Sequence, residues 1–292
     1  MTTQPHTKTF TPSRPIWCAG CGDFAVKGVL EKSLENAGVD PHNLLLLAGI
    51  GCSGTIQNNI KCYGYHSLHG RVLPTAIGAK LANPDLTVVA AGGDGDGYAI
   101  GAGHLIHTLK ANPSITYVVM NNNTYGLTKG QASPTSPVGF HDNPEEGMDA
   151  IMLGLSLPTT TFLARGFSGN PEQLEKLMGA ALEHTQAGKG FAFLEVLSPC
   201  VTYYDTHREW RARVYNVEED EGYDSTNRSQ AFARNMEIKS EGRIPIGRIF
   251  KGEHPSLESL VLNQKELPPA QQKIGSLKHR EHYDKFISSY LG

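Results

Sequence analysis

Short apolar runs that alternate with helical patterns constrain the fold of this chain more than any other feature. Strands are predicted at residues 43–49, 86–93, 114–122, 160–164 and 191–200. Helices are predicted at residues 23–38, around 74–83, at about 99–111 and within 171–187. Strands that alternate with helices predict an α/β fold in which helices cover both faces of a doubly wound parallel sheet.

The length of 292 residues fits one large α/β domain, or a domain of about 200 residues with an extension. The composition changes after Cys200, and residues 205–292 are charged, contain proline and show no clear strand pattern. We therefore assign residues 1–204 to the α/β domain. Residues 205–292 are expected to form a C-terminal extension that wraps this domain or a partner.

Charge and hydropathy exclude several classes of protein. The net charge of −3 provides no basic surface, which argues against nucleic acid as a partner. No run approaches the roughly 20 apolar residues that a membrane span needs, and residues 1–16 lack the apolar segment of a signal peptide. We expect a soluble, cytoplasmic protein that does not act at a membrane.

Polar loops follow three of the predicted strands, at residues 49–54, 92–97 and 121–126. Cys200 also lies where a strand ends. Ligands of open α/β sheets bind beyond the carboxyl ends of the strands, so these four features are expected to share one edge of the sheet.

The loop "GDGDG" and the later "NNNTYG" together indicate a diphosphate and magnesium site. Gly93 and Gly95 allow a tight turn, and the helix that follows presents free N–H groups to phosphate. Asp94, the side-chain oxygen of Asn122 and the backbone carbonyl of Thr124 are the candidate Mg²⁺ ligands. The order strand, GDG, helix, strand, NN resembles the signature of thiamine diphosphate enzymes.

The sequence offers one candidate histidine for phosphate binding and lacks the common nucleotide-binding motif. His69, within "YHSLHGR", is a candidate donor to a phosphate oxygen, although a loop histidine bonded to the backbone is the simpler interpretation. The chain contains no GxxxxGKS or GxxxxGKT segment, which argues against nucleotide hydrolysis.

The five cysteines of the chain favour metal or redox chemistry over a disulfide framework. A catalytic CxxC normally follows a strand, and residues 1–17 contain no convincing one, so Cys18 and Cys21 are interpreted as half of a four-thiolate site. Cys52 and Cys200 lie at strand ends and are chosen as the other ligands, whereas Cys62 has no such anchor. Four thiolates suit zinc or a 4Fe–4S cluster. The proximity of Cys52 to the diphosphate site favours the cluster, since an electron acceptor is useful beside an organic cofactor.

With these motifs in place, the chain resembles the β subunits of the 2-oxoacid:ferredoxin oxidoreductases, most closely the 2-oxoglutarate branch. The resemblance runs from about residue 12 to 205, with one spacer difference at Ala19, where proline is usual. It rests on "WCAGCGDFAVKG", "GIGCSG", "YHSLHGRVLPTAIGAKLANP", "GGDGDGYAIG", "NNNTYGLTKGQASPTSP" and "SPCVTY".

The resemblance implies a thiamine diphosphate-binding fold and three resident cofactors: thiamine diphosphate, Mg²⁺ and a 4Fe–4S cluster. The implied cluster ligands are Cys18, Cys21, Cys52 and Cys200. The implied Mg²⁺ ligands are Asp94, Asn122 and the Thr124 carbonyl. The implied thiamine diphosphate contacts are Ile50, Gly51, Cys52, Ser53, Ser67, Leu68, His69, Gly70, Gly95, Asp96, Gly126 and Leu127.

The implied reaction is the reversible oxidative decarboxylation of a 2-oxoacid, with coenzyme A as acyl acceptor and ferredoxin as electron acceptor. Thiamine enzymes place the essential base glutamate on a second α/β domain, for which this chain has no room. We therefore expect that glutamate on a separate α subunit, in an αβ pair or a dimer of pairs. The competing interpretations are a cluster-free thiamine decarboxylase subunit and a zinc-stabilised interaction protein.

Overall fold

A computed structural model of the chain describes residues 10, 14–262, 267–272 and 280–291. Residues 1–9 and 11–13, part of the segment predicted to lack a strand, lie outside the described residues. Eight strands form one sheet: β1 Leu44–Ala48, β2 Tyr63–His66, β3 Thr87–Gly93, β4 Thr116–Asn121, β5 Phe162–Phe167, β6 Ala192–Leu197, β7 Val214–Asn216 and β8 Ile244–Lys251.

The structure describes nine α-helices, several of which cover the two faces of this sheet. They are α1 Asp23–Asn36, α2 Val72–Ala82, α3 Ala102–Ala111, α4 Ala150–Leu155, α5 Pro171–Gln186, α6 His207–Arg213, α7 Arg228–Ser240, α8 Leu257–Val261 and α9 Arg280–Leu291. A π-helical turn, Asp96–Ile100, precedes α3.

The strand order is β2-β1-β3-β4-β6-β5-β8-β7. Its neighbouring strands are parallel except for β5 and β8, which run antiparallel. Because neighbouring residues of a strand face opposite sides, each central strand supplies two hydrophobic cores. On β4, Val118 and Met120 pack in the core formed with α1 and α5, while Tyr117 and Val119 pack in the core formed with α2, α3, α4 and α7. The predicted doubly wound α/β fold is therefore confirmed.

The expectation that residues 205–292 contain no strands is wrong. β8 pairs with the edge of β5, and β7 pairs with β8. The sequence pattern does not reveal them because Pro245 and Gly247 interrupt β8 and because β7 spans only three residues. It does not reveal β2 either, since all four residues of that strand are exposed. The domain boundary after residue 204 and the role of the extension at a partner remain predictions.

Candidate active site and cysteine pocket

The predicted strand-end loops do meet at one edge of the sheet. Residues from the loops after β1, β3 and β4, together with His69 and Asp23, line a cleft of about 550 Å³, which includes the solvent at its mouth. The lining residues are Asp23, Ile50, Gly51, Cys52, Ser53, His69, Gly93, Asp94, Gly95, Asp96, Met120, Asn122, Thr124, Tyr125, Gly126, Leu127 and Thr128. Among the predicted cofactor contacts, Ser67, Leu68 and Gly70 lie outside this lining, and their role remains a prediction.

Asp94 is the buried carboxylate at the centre of the cleft. Its Oδ2 accepts hydrogen bonds from the hydroxyls of Ser133, at 2.5 Å, and Thr135, at 2.6 Å. Burial raises the pKa of Asp94, and these two hydroxyls and the backbone N–H of Asn122 oppose the rise. The Oδ1 of Asn122 accepts from the N–H of Thr124, which fixes the turn that carries two of the predicted Mg²⁺ ligands, and Asp94 lines the same cleft from the loop after β3.

Gly95 is required where the GDG loop meets Tyr125. A Cβ at this position would lie 2.2 Å from the tyrosine ring, well inside van der Waals contact. The tyrosine therefore packs directly on the glycine backbone and closes one side of the cleft. Tyr125 is not among the residues predicted from the sequence, because an aromatic side chain carries no diphosphate signal.

Asp96 ties three loops together. Its Oδ1 accepts hydrogen bonds from the backbone N–H groups of Ile50, at 2.9 Å, and Gly70, at 2.8 Å. The Nδ1 of His69 lies 3.4 Å from the same oxygen. Burial raises the pKa of Asp96, and the backbone N–H groups of Ile50 and Gly70 oppose the rise.

A second pocket lies next to the cleft and contains the four predicted cluster ligands. Cys18, Cys21, Cys52 and Cys200 line it together, while Cys62 packs against the hydrophobic core formed with α1 and α5. A Cβ built on Gly126 would lie 3.6 Å from the Sγ atoms of both Cys52 and Cys200. The sequence-based choice of Cys200 over Cys62 thus brings together thiols from four separate positions in the chain.

Backbone and side-chain hydrogen bonds hold the cysteine loops in place. The N–H of Gly22 donates to the carbonyl of Pro199, and the hydroxyl of Ser198 donates to Asp23 at 2.6 Å. The indole N–H of Trp17 donates to the carbonyl of Cys52 at 2.8 Å. The N-terminal CxxC loop is therefore attached directly to the ends of β1 and β6.

Burial controls the acidity of this pocket. It raises the pKa of Cys52 to about 11, with smaller contributions from Asp23, Cys200 and Cys18. It also raises the pKa of Cys21 far above its usual range and that of Asp23 to about 6. The thiols of Cys21 and Cys52 therefore favour the protonated form at neutral pH, and a metal that binds to them must displace their protons.

The donor sets fit the cofactors that the resemblance implies. A carboxylate, an amide oxygen and a carbonyl are hard oxygen ligands suited to Mg²⁺. In the same cleft, His69 Nδ1 and Asp96 Oδ2 are buried without a hydrogen-bond partner among the described residues, so polar groups of a bound cofactor fit there. Four thiols suit an iron–sulfur cluster. Within the described ranges, no three His, Cys, Asp or Glu side chains form a group that could hold one metal ion. Neither proposed site needs such a group, because the first uses mainly neutral oxygens and the second binds one thiolate per iron.

Sequence reasoning missed three polar residues of this region. Asp23 lines the cleft from the first turn of α1, and Ser133 and Thr135 hold Asp94 from the loop after β4. Ser133 and Thr135 lie in "SPTSP", the end of a motif that supports the family resemblance, but nothing in that segment links them to Asp94, and an aspartate at a helix start is common for structural reasons.

Comparisons with known proteins agree with this geometry. Residues 49–196 match the family described as thiamine pyrophosphate enzyme, C-terminal TPP binding domain. Residues 200–266 match a second family, the C-terminal part of the beta subunit of pyruvate ferredoxin oxidoreductase. The chain is 36% identical over 282 residues to the 2-oxoacid:ferredoxin oxidoreductase 2 subunit beta of Aeropyrum pernix. The alignment covers 88% of each chain.

The chain belongs to the β-subunit family of the 2-oxoacid:ferredoxin oxidoreductases. This β subunit is also 37% identical over 248 residues to the 2-oxoglutarate synthase subunit KorB of Methanothermobacter marburgensis, with 83% of this chain and 85% of the relative covered. Its structure matches a chain of the 2-oxoglutarate:ferredoxin oxidoreductase from Magnetococcus marinus, solved with 2-oxoglutarate, coenzyme A and succinyl-CoA bound. That match has a TM-score of 0.81 and 32% identity, and it covers 95% of this β subunit and 94% of the other chain.

As the β subunit of a thiamine-dependent oxidoreductase, the chain works with other subunits of the same enzyme. None of its described helices has the length and apolar character needed to cross a membrane.

Proposed function

We propose that this β subunit binds the cofactor diphosphate and carries the cluster through which electrons leave the active site. The enzyme converts 2-oxoglutarate, coenzyme A and oxidised ferredoxin into succinyl-CoA, CO₂ and reduced ferredoxin. Two ferredoxins take one electron each, and the thiol proton of coenzyme A is released. The observation that carries the proposal is that the cleft and the cysteine pocket share Cys52, Asn122, Gly126 and Leu127 in their linings. A cofactor in the cleft would therefore lie beside a cluster in the pocket.

In this proposal the diphosphate is held by Mg²⁺ on Asp94, Asn122 and the Thr124 carbonyl. Thiamine diphosphate, when bound there, would supply the carbanion chemistry that decarboxylation of a 2-oxoacid requires. The chain's own residues fix the site: Asp96 orders the loops that carry Ile50 and Gly70, and Tyr125 closes the cleft beside Gly95.

The four thiols of the pocket would hold a 4Fe–4S cluster, which would supply one-electron transfer towards ferredoxin. The 2-oxoglutarate assignment is supported by the KorB relative and by the substrate bound in the Magnetococcus marinus enzyme. The base that activates the cofactor belongs, in this proposal, to an α subunit, together with part of the substrate pocket.

Anaerobic purification of the chain with and without its α subunit tests the proposal. About four irons per chain, little zinc and a broad visible absorption band are expected. Ferredoxin reduction should require both subunits, coenzyme A and 2-oxoglutarate, and should be weaker with pyruvate. Zinc in place of iron, or full turnover by the isolated chain, would contradict the assignment.

A further inference from the structure

The loop after β4 holds Asp94 by one side of its carboxylate. Ser133 Oγ and Thr135 Oγ1 both contact Oδ2, at 2.5 and 2.6 Å. All three residues are buried, with exposures of 1% for Asp94, 7% for Ser133 and 8% for Thr135. Two hydroxyl donors on one oxygen restrict rotation of the carboxylate, and neither hydroxyl occupies Oδ1.

Thr135 Oγ1 lies between the carboxylate of Asp94 and the end of the central strand β4. This hydroxyl oxygen lies 2.9 Å from Oδ1 of Asn121, the last residue of β4. The amide nitrogen of Asn121 donates to Glu195 on β6, and Glu195 forms an ion pair with the buried Arg165 on β5. The single hydroxyl proton of Thr135 points to Asp94, because a carboxylate is the stronger acceptor and Asn121 Oδ1 already accepts from the N–H of Asn123.

The same loop also fixes the other two proposed Mg²⁺ ligands. Ser136 Oγ donates to the carbonyl of Asn123 at 2.7 Å, between Asn122 and Thr124. Thr124 Oγ1 donates to the carbonyl of Gln131 at 3.0 Å. Residues 131–136 therefore contact Asp94, Asn123 and Thr124.

We propose, on the basis of the function assigned above, that Thr135 and Ser133 are positioning residues that aim Oδ1 of Asp94 at Mg²⁺. They do not touch the ion or the substrate in this arrangement. They hold the Asp94 carboxylate in the orientation that binding requires, so less side-chain entropy is lost when Mg²⁺ binds.

The test measures Mg²⁺ affinity, which does not depend on turnover. The metal-stripped full chain, purified with its α subunit, is titrated with Mg²⁺ in excess thiamine diphosphate, and binding is followed by calorimetry. Thr135→Val removes the hydroxyl at similar size and should weaken Mg²⁺ binding about 10- to 100-fold. Thr135→Ser keeps the hydroxyl and should restore affinity close to that of the parent chain.

Thr116→Val is the matched control. Thr116 is also buried, lies at the other end of β4 and bonds its hydroxyl to Thr185 at 2.9 Å. Its substitution should lower the melting temperature without changing Mg²⁺ affinity. Ser133→Ala, which removes the second donor and leaves Thr135 intact, should weaken binding on its own and keeps the test available if Thr135→Val does not fold.

The outcomes separate this inference from the function on which it rests. If the parent complex binds no Mg²⁺ with thiamine diphosphate, the proposed function fails and this inference with it. If the parent binds but Thr135→Val and Ser133→Ala bind equally well, the positioning role alone is overturned. Failure of Thr135→Ser to restore affinity would also overturn it, because the hydroxyl would then not be the deciding group.

Discussion

At the scale of single residues, Cys200 and Cys62 provide a matched pair. Cys200 lines the pocket with the other three proposed ligands, whereas Cys62 packs on the core and lies 3.7 Å from the carbonyl of Ile60. Removing one thiolate leaves one iron of a 4Fe–4S cluster without its protein ligand.

We predict that Cys200→Ala loses most of its iron and its visible absorption, whereas Cys62→Ala keeps both and loses only about 1 kcal/mol of unfolding free energy. Iron analysis after anaerobic purification makes the comparison. Equal iron contents in the two variants would rule out the proposed ligand set.

His184 makes stability depend on pH at a site far from the cofactors. It is 4% exposed on α5 and packs against Phe162. Burial, with smaller contributions from Lys251 and Lys189, lowers the pKa of His184 from 6.5 to about 4. The unfolded chain therefore takes up a proton near pH 6.5 that the folded chain refuses until about pH 4.

The contribution of His184 is thus complete above pH 6.5 and is lost as the pH falls towards 4, by up to about 3 kcal/mol. His184→Gln should flatten this part of the profile in urea unfolding between neutral pH and about pH 5. His42→Gln, at an exposed histidine, serves as the control and should follow the parent curve. Parallel curves for the parent and His184→Gln would contradict the prediction.

At the scale of elements, the close packing of β8 against β7 depends on one glycine. Gly247 has φ +110°, and a Cβ there would lie 2.6 Å from Oδ1 of Asn216, which caps the turn after β7. Gly222 also has positive φ, +80°, but its Cβ would meet open space. The two positions separate backbone strain from steric overlap.

We expect Gly247→Ala to cost about 2–4 kcal/mol, since it adds a clash to the strain, and Gly222→Ala to cost only about 1–2 kcal/mol. Urea unfolding of both variants measures the difference. Equal losses of unfolding free energy would show that the side chain of Asn216 moves aside at little cost, so that the contact with Gly247 does not hold β8.

The sequence predicted the central strands and the ligand edge because buried parallel strands and GDG–NN loops have strong local patterns. It did not predict β8, whose Pro245 and Gly247 weaken the strand pattern, because pairing with β5 outweighs local preference. Ser133 and Thr135 were missed for a similar reason, since their role arises only when two distant loops meet.

At the scale of the whole molecule, the residues after 204 complete the core of the domain. Val217, Ile238, Ile249 and Phe250 are buried in the core shared with α2, α3 and α4. β8 covers the edge of β5, which would otherwise expose apolar residues and free backbone groups.

A chain ending at residue 204 should therefore aggregate or melt far below the parent, and it should bind a hydrophobic dye. A chain ending at residue 262 keeps β7, β8 and α7 and should melt close to the parent. Thermal unfolding followed by circular dichroism compares the two. A stable, dye-silent 1–204 chain would make residues after 204 a separate appendage.

The direct attachment of the CxxC loop to the end of β6 has a consequence for how the enzyme is matured and repaired. The hydrogen bonds from Gly22 to Pro199 and from Ser198 to Asp23 involve no cysteine sulfur, so they do not require a bound cluster. Loss of iron from the proposed cluster on exposure to oxygen would leave these hydrogen bonds intact. Ferrous and ferric iron in equal amounts, with sulfide, should then rebuild the proposed cluster in the folded chain, without a denaturation cycle.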